Sequence, residues 1–338
     1  MGAIYFSRSE LIGQTSELVG YKSGLTLTQE KAATMLDEDT RSYWLGPLDT
    51  GLRIRSEEYE SLYLQLLNGV GRIPWSPTKW TPSGLLYRTW HAEQPELLRR
   101  LTLKLAMLSG LVHMRLRDFD EGSREIVKLV AELRTEHGVE ASQMAELLIP
   151  ALEEEARWSP WVNSRPITWG DVKALDELFS SELLGAQAGQ YVDQRFVDYL
   201  ANNFPEIDNI NWRKFEGLTA DWFTREGYKV ELGPGRDDDG VDLRVWPQEA
   251  QPNACPAILV QCKRYASKIS KAVVKSLHAD IQYYQAGSGL IVTTSALSPG
   301  AKKTINCRSY LVDEADRTTL RAWIEAMRTP GTGAFLAE

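Results

Sequence analysis

The chain has few of the residues that bind zinc and no long hydrophobic run. Its three cysteines, Cys255, Cys262 and Cys307, form no Cys-x-x-Cys pair, and its four histidines are scattered. A zinc site is therefore not expected, and this cysteine usage fits a reducing compartment. No apolar run approaches the length that crosses a bilayer, and the segment MGAIYFSRSE lacks the layout of a secretion signal. We expect a cytoplasmic protein that does not contact membranes.

The length and the charge distribution point to two domains of different character. A chain of 338 residues is long enough for two hydrophobic cores. The net charge of −8 argues against indiscriminate adhesion to nucleic acid, but residues 1–205 hold 21 Lys and Arg against 29 Asp and Glu, whereas residues 206–338 hold 17 of each. Residues 263–275 carry five basic and no acidic side chains. A basic patch of this kind is typical of a surface that meets phosphate.

The first 205 residues have the periodicity of helices. Apolar residues at helical spacing predict helices at 56–69, 94–116, 123–137 and 141–158. Between the first two lies a segment rich in Pro, Gly and Trp, residues 71–91, which we expect to be an ordered loop whose tryptophans pack together rather than a binding surface. The polar segment 201–211 resembles a domain junction. We predict a mostly helical recognition or regulatory domain at 1–205 and a second domain at 206–338.

The second domain alternates strands and helices. After a helix at 212–227, the pattern predicts strands at 228–232, 241–246, 256–263, 289–294 and 310–313, with helices near 269–285, 298–306 and 315–328. This order is αβββαβ with additions. We therefore expect an α/β domain with a mixed sheet flanked by helices.

Polar side chains occur where two of these strands would pair. Asp242 begins one strand, and the next strand carries Gln261 and Lys263 on one face because side chains alternate along a strand. If the strands form a hairpin, a carboxylate, a carboxamide and an ammonium lie within a few ångströms. The two kinds of side-chain oxygen, with the Cys262 backbone carbonyl, suit a hard cation such as Mg²⁺. Lys263 could then hold a water and neutralise charge on a phosphate.

Six segments carry a family resemblance over residues 206–328. They are FEGL, GYKVEL, DDDGVDL, VQCKRY, GLIVTTSALSPGAKK and YLVDEADRTTL. With them, this region resembles the Mrr-type restriction endonuclease domain, a branch of the PD-(D/E)xK nuclease superfamily. The first 205 residues resemble no family that we can name.

The resemblance implies a role for each polar residue. Asp242 would be the principal metal ligand, and Lys263 would be the catalytic lysine. Gln261 would stand where the wider superfamily has Glu or Asp, and Glu216 would bind the metal directly or through water. The metal would be Mg²⁺, with Mn²⁺ as a substitute. Because Gln supplies a neutral oxygen, metal binding would depend more on Asp242 and Glu216, which favours one metal ion over two.

Several residues are candidates for contact with the nucleic-acid backbone. Lys268, Lys271 and Lys275 have spacings of three and four, which place them along one side of the predicted helix. Ser298 and Pro299 have the pattern of a helix start, where free N–H groups can meet an anion. The predicted nucleic-acid contacts are Arg264, Lys268, Lys271, Lys275, Thr294, Ser298 and Lys302. We expect Asp237, Asp238 and Asp239 to form a solvated loop.

The predicted reaction is the hydrolysis of phosphodiester bonds in DNA. The resemblance implies a role in bacterial defence against foreign or modified DNA. Two alternatives stay open: a binding module that does not cut, and a nuclease that acts on RNA. Since one active site cuts one strand, we expect a homodimer or a larger assembly. The N-terminal domain could recognise a partner protein, a small signal ligand or a feature of DNA, and the sequence does not rank these.

Overall fold

The chain divides into two compact units, the first ending at Lys173 and the second beginning at Ala174. A computed structural model describes residues 3–73, 90, 94–116, 120–161, 170–180, 191–235 and 240–328. Within these ranges no helix is both long and apolar enough to span a membrane.

The first unit consists mainly of helices. Its elements are β1 (Ala3–Ser7), α1 (Arg8–Ser23), β2 (Leu25–Thr26), α2 (Gln29–Met35), α3 (Glu38–Trp44), β3 (Gly51–Arg55), α4 (Ser56–Gly69), α5 (Pro95–Leu116), α6 (Asp120–His137) and α7 (Val139–Trp158). The short strand β4 (Lys173–Ala174) spans the division between the units. The predicted helical character of the N-terminal region is therefore confirmed.

In the described part of this unit, two hydrophobic clusters contribute to the core. Leu11, Trp44 and Tyr63 belong to one cluster, under α1, α3 and α4. The second cluster lies between α5, α6 and α7, where Leu108 and Met144 are fully buried. Helices of this length are stable because each buries an apolar face against its neighbours.

The sequence did not predict the strand pair of the first unit. β1 pairs with β3 in an antiparallel register that runs from Ala3 opposite Arg55 to Ser7 opposite Gly51. Most of the Trp-rich segment, residues 74–89 and 91, lies outside the described residues, so its expected loop structure stays a prediction.

The second unit has the predicted α/β architecture. It contains α8 (Leu175–Ser180), α9 (Gln194–Asn202), a 3-10 helix (Phe204–Asn209), α10 (Trp212–Arg225), β5 (Tyr228–Leu232), β6 (Leu243–Pro247), β7 (Ile258–Lys263), α11 (Lys271–Tyr283), β8 (Ser288–Thr293), α12 (Pro299–Arg308), β9 (Val312–Ala315) and α13 (Arg317–Met327).

The five strands form one mixed sheet in the order β5-β6-β7-β8-β9. β5, β6 and β7 are antiparallel neighbours, whereas β7, β8 and β9 run parallel. The buried face of α11, with Val274 and Leu277, belongs to the same core cluster as Leu259 of β7 and Ile291 of β8. Leu259, Val260 and Gln261 of β7 are buried in succession, and α11 covers the face that carries Leu259.

The division between the units precedes the predicted boundary at 205/206. Helix α9 lies within the second unit, where the Gln194 amide donates to the Met327 carbonyl at 3.1 Å and Arg328 donates to the Asn202 side chain at 2.9 Å. These contacts join the start of the unit to its last helix. Because they link residues far apart in sequence, the local composition of segment 201–211 did not reveal them.

Candidate active site

The antiparallel pairing of β6 and β7 brings Asp242 beside Gln261. Leu243 stands opposite Val260, and the Asp242 N–H donates to the Val260 carbonyl at 3.0 Å. The Asp242 Oδ2 atom accepts a hydrogen bond of 2.6 Å from the Cys262 backbone N–H. Asp242 is 7% exposed. The hairpin proximity expected from the sequence is thus present, and the Asp242 carboxylate lies against the backbone of β7.

The carboxamide of Gln261 is held at one end only. Its Nε2 donates to the Gly240 carbonyl at 2.7 Å. Its Oε1 is buried and has no hydrogen-bond partner among the described residues. A buried oxygen without a donor is costly in a folded protein. Such an oxygen is available to a cation.

Glu216 lies on α10 and is 5% exposed. The Asn211 side chain caps this helix by accepting from the Arg213 N–H. The Arg213 guanidinium then donates to Glu216 Oε2 at 2.8 Å and to the Gly233 carbonyl at 2.9 Å. Arg213 therefore orients Glu216 and partly neutralises its charge.

The pKa of the Cys262 thiol depends on the charged side chains of the candidate site. Burial is the largest effect that raises the pKa of its thiol, and the negative charges of Asp242 and Glu216 raise it further, whereas Lys263 acts in the opposite direction. Both carboxylates and the ammonium are thus within electrostatic range of one thiol. A thiol with a raised pKa stays protonated at neutral pH, so Cys262 is unsuited to act as a nucleophile.

Lys263 ends β7 and is half-buried. No hydrogen bond or ion pair of its side chain occurs within the described part of the chain. Its ammonium therefore stays free to interact with a water or a phosphate oxygen.

The donor types of the predicted set are those that a hard cation prefers, although the set is not a cluster of acidic residues alone. Over the described ranges, no three His, Cys, Asp or Glu side chains lie close enough to hold a metal ion. The predicted ligands instead combine the carboxylates of Asp242 and Glu216 with the Gln261 Oε1 and the Cys262 backbone carbonyl. The partnerless Gln261 Oε1 is the observation that supports this mixed set. Asp237, Asp238 and Asp239 lie outside the described residues.

Three of the predicted nucleic-acid contacts are exposed and unpaired. Lys268, Lys271 and Lys275 are exposed, and within the described ranges none of them forms an ion pair. Lys271 and Lys275 lie on α11, and the buried side of this helix carries Val274, Leu277 and Ile281. This surface is available to an anionic partner.

The other four predicted contacts already have partners within the protein. Arg264 donates to the Asp208 carbonyl at 2.7 Å. Thr294 is buried, and its hydroxyl contacts the Tyr265 carbonyl at 3.4 Å. Ser298 caps α12 as its pattern predicted, and Lys302 forms a 2.8 Å ion pair with Glu314. Contact of these residues with nucleic acid stays a prediction.

Sequence reasoning missed two residues of the site, Arg213 and Gly240. Arg213 lies one helical turn before Glu216, which is a signal that the sequence contains. Gly240 acts through its backbone carbonyl and adopts a left-handed φ of +86°, where a side chain would be strained. The sequence shows this glycine but not the partner of its carbonyl.

The first unit contains a separate cavity of about 700 Å³. Four aromatic side chains, Phe6, Tyr21, Tyr59 and Trp161, line it together with Glu17. Among the described residues of the lining there is no Lys or Arg side chain.

One family model agrees with the C-terminal resemblance. Residues 207–324 match the Mrr catalytic family model, described as restriction endonuclease. The MspJI restriction endonuclease, solved in complex with a 27-mer oligonucleotide, is 18% identical to this chain, with a TM-score of 0.31. That match covers 60% of this chain and 46% of the MspJI chain, which is less than half of its length. No curated protein sequence matches the chain. Residues 207–324 of the second unit are thus similar to restriction endonuclease domains of the Mrr type.

Proposed function

We propose that the second unit is a divalent-metal-dependent endonuclease that hydrolyses phosphodiester bonds of DNA. One observation carries this proposal. At the junction of β6 and β7, the buried Asp242 stands beside Gln261 in the strand register, the buried Gln261 Oε1 has no hydrogen-bond partner among the described residues, and Lys263 ends the strand that carries Gln261. A buried polar oxygen without a partner is rare in folded proteins, and a bound ion or a catalytic role accounts for it.

Asp242, Glu216, the Gln261 Oε1 and the Cys262 carbonyl would hold the cation, which we propose is Mg²⁺ with Mn²⁺ as a substitute. When bound, such a cation supplies a water of lowered pKa and neutralises negative charge on the phosphate. Arg213 partly neutralises Glu216, and the family resemblance implies that Asp242 is the principal ligand. Lys263 donates a hydrogen bond to the attacking water or to a phosphate oxygen and stabilises the charge that develops there.

The exposed lysines supply the surface for the substrate. Lys268, Lys271 and Lys275 come after the catalytic strand in the chain, and in this proposal they bind the nucleic-acid backbone that Lys263 acts on. We propose a role in defence against foreign or modified DNA, with a dimer or larger assembly cutting both strands. For the first unit, the aromatic lining of the cavity favours a small signal ligand over the other candidates.

The test is a cleavage assay with the full-length chain. End-labelled duplex DNA, single-stranded DNA and RNA of the same sequence are incubated with Mg²⁺ or with EDTA. We expect cleavage of duplex DNA with Mg²⁺ and none with EDTA. Cleavage of RNA alone would establish the alternative substrate. Binding without cleavage of any of the three, under every condition, would instead favour the binding module.

A further inference from the structure

The loop between β5 and β6 is attached to the site at both of its described ends. At one end, the Gly233 N–H donates to the Asp242 carbonyl at 2.8 Å, and the Gly233 carbonyl accepts from Arg213 at 2.9 Å. At the other end, the Gly240 carbonyl accepts from Gln261 Nε2 at 2.7 Å. Side chains of the site therefore hold the backbone that leads into Asp242.

The chemistry of the partner fixes the orientation of the Gln261 amide. A backbone carbonyl can only accept a hydrogen bond, so the nitrogen of the carboxamide must face Gly240. The oxygen is then turned the other way, and it is the buried, partnerless Oε1 of the cation site. One planar group thus presents a donor to the loop and an acceptor to the site.

An acidic side chain at position 261 could not do both. A carboxylate has no N–H, and one of its oxygens would lie about where Nε2 is, next to the Gly240 carbonyl oxygen. Two acceptors at hydrogen-bond distance repel each other, and neither would have a proton to share.

We propose that Gln261 is a positioning residue whose N–H fixes Gly240, and through it the start of β6 at Asp242. The need for this N–H donor explains why position 261 carries a carboxamide and not a carboxylate. Only the role of Gln261 Oε1 as a cation ligand rests on the proposed function. The hydrogen bond from Gln261 Nε2 to Gly240 exists without a metal ion.

The test uses amide hydrogen exchange of the full-length protein in EDTA. Gln261→Met removes the donor at similar volume and without charge, and Gln261→Glu removes it and adds an anion. The same two changes at Gln282, which is exposed on α11, provide matched controls. The readout is exchange at Gly233 and Asp242, whose amides are hydrogen-bonded at 2.8 and 3.0 Å in this region.

We expect exchange at these two amides to become about tenfold faster in both Gln261 variants, because one hydrogen bond to a buried partner is lost. Both Gln282 variants should exchange at the wild-type rate. Wild-type exchange in Gln261→Met would overturn the proposal, and it would do so even if Gln261→Glu failed to fold. The outcome is independent of cleavage, so a wild-type protein that does not cut DNA would contradict the proposed function and leave this proposal standing.

Discussion

Neutralising the lysines that follow the catalytic strand should weaken DNA binding in a salt-dependent way. Lys271 lies at the N-terminus of α11, where the first turn has no acidic residue and Ser270 gives no side-chain cap. A cation there opposes the helix dipole, so Lys271 does not stabilise the helix. The position of Lys271 therefore favours a role in binding an anion.

The magnitude follows from counterion release. Each phosphate contact contributes a slope of about 0.9 to the dependence of log K on log salt, so the loss of three contacts should flatten the slope by about 2.7. At about 0.15 M salt, the same slope corresponds to a loss of affinity of about fivefold per lysine. Folding stability should stay constant, or rise by about 0.3–1 kcal/mol where Lys271 is removed.

The assay is a salt titration of duplex DNA binding in EDTA, with Lys268, Lys271 and Lys275 all changed to Gln. Lys229→Gln is the matched control, because Lys229 is exposed on β5 at the far edge of the sheet. We expect a flatter slope for the triple variant only. An unchanged slope and affinity would show that these lysines face water and would refute the predicted path of the DNA.

Two further predictions concern stability. Burial, and to a lesser extent the charge of Glu60, raises the pKa of Glu155 from 4.5 to about 7. Protonated Glu155 therefore contributes to folding stability fully below pH 4.5, and this contribution is lost as the pH rises through 7. In denaturant unfolding, Glu155→Gln should therefore raise the free energy of unfolding by about 1–3 kcal/mol at pH 8 and leave it unchanged at pH 4.5. An equal increase in the free energy of unfolding at both pH values would contradict this prediction. Gly289→Ala should destabilise by about 1–3 kcal/mol, because its new Cβ would lie 2.9 Å from a Leu277 methyl group. Gly13→Ala, with no atom within 4 Å, should be tolerated, and equal unfolding midpoints for the two glycine variants would be evidence against this packing argument.

Local sequence signals were sufficient for elements that are defined by their own periodicity. The predicted bounds of α4 and β5 coincide with the observed Ser56–Gly69 and Tyr228–Leu232. The pairing of β1 with β3 was not predicted, because it joins segments far apart in the chain and neither strand buries a clear alternating face. The placement of α9 in the second unit escaped prediction for a similar reason, since its partners lie near residue 327.

The sequence predicted which side chains of the candidate site come together, but not their hydrogen bonds to the backbone. The proximity of Asp242 and Gln261 follows from a hairpin that the sequence indicates. The hydrogen bond of the Gln261 side chain does not follow from it, because the partner is the backbone carbonyl of Gly240, and every residue has such a carbonyl. The ion pair of Lys302 with Glu314 likewise depends on the parallel neighbour β9, which sequence reasoning placed without a register.

The most direct test of the proposed function is the single-turnover rate of duplex DNA cleavage in Mg²⁺ by Asp242→Ala and Lys263→Ala. Each substitution removes a group that acts on charge at the scissile phosphate, so each should lower the rate by on the order of 10²–10³. Lys229→Ala should cut at the wild-type rate, and unfolding midpoints of all variants provide the control for folding. Wild-type rates for either Asp242→Ala or Lys263→Ala would contradict the assignment of the active site.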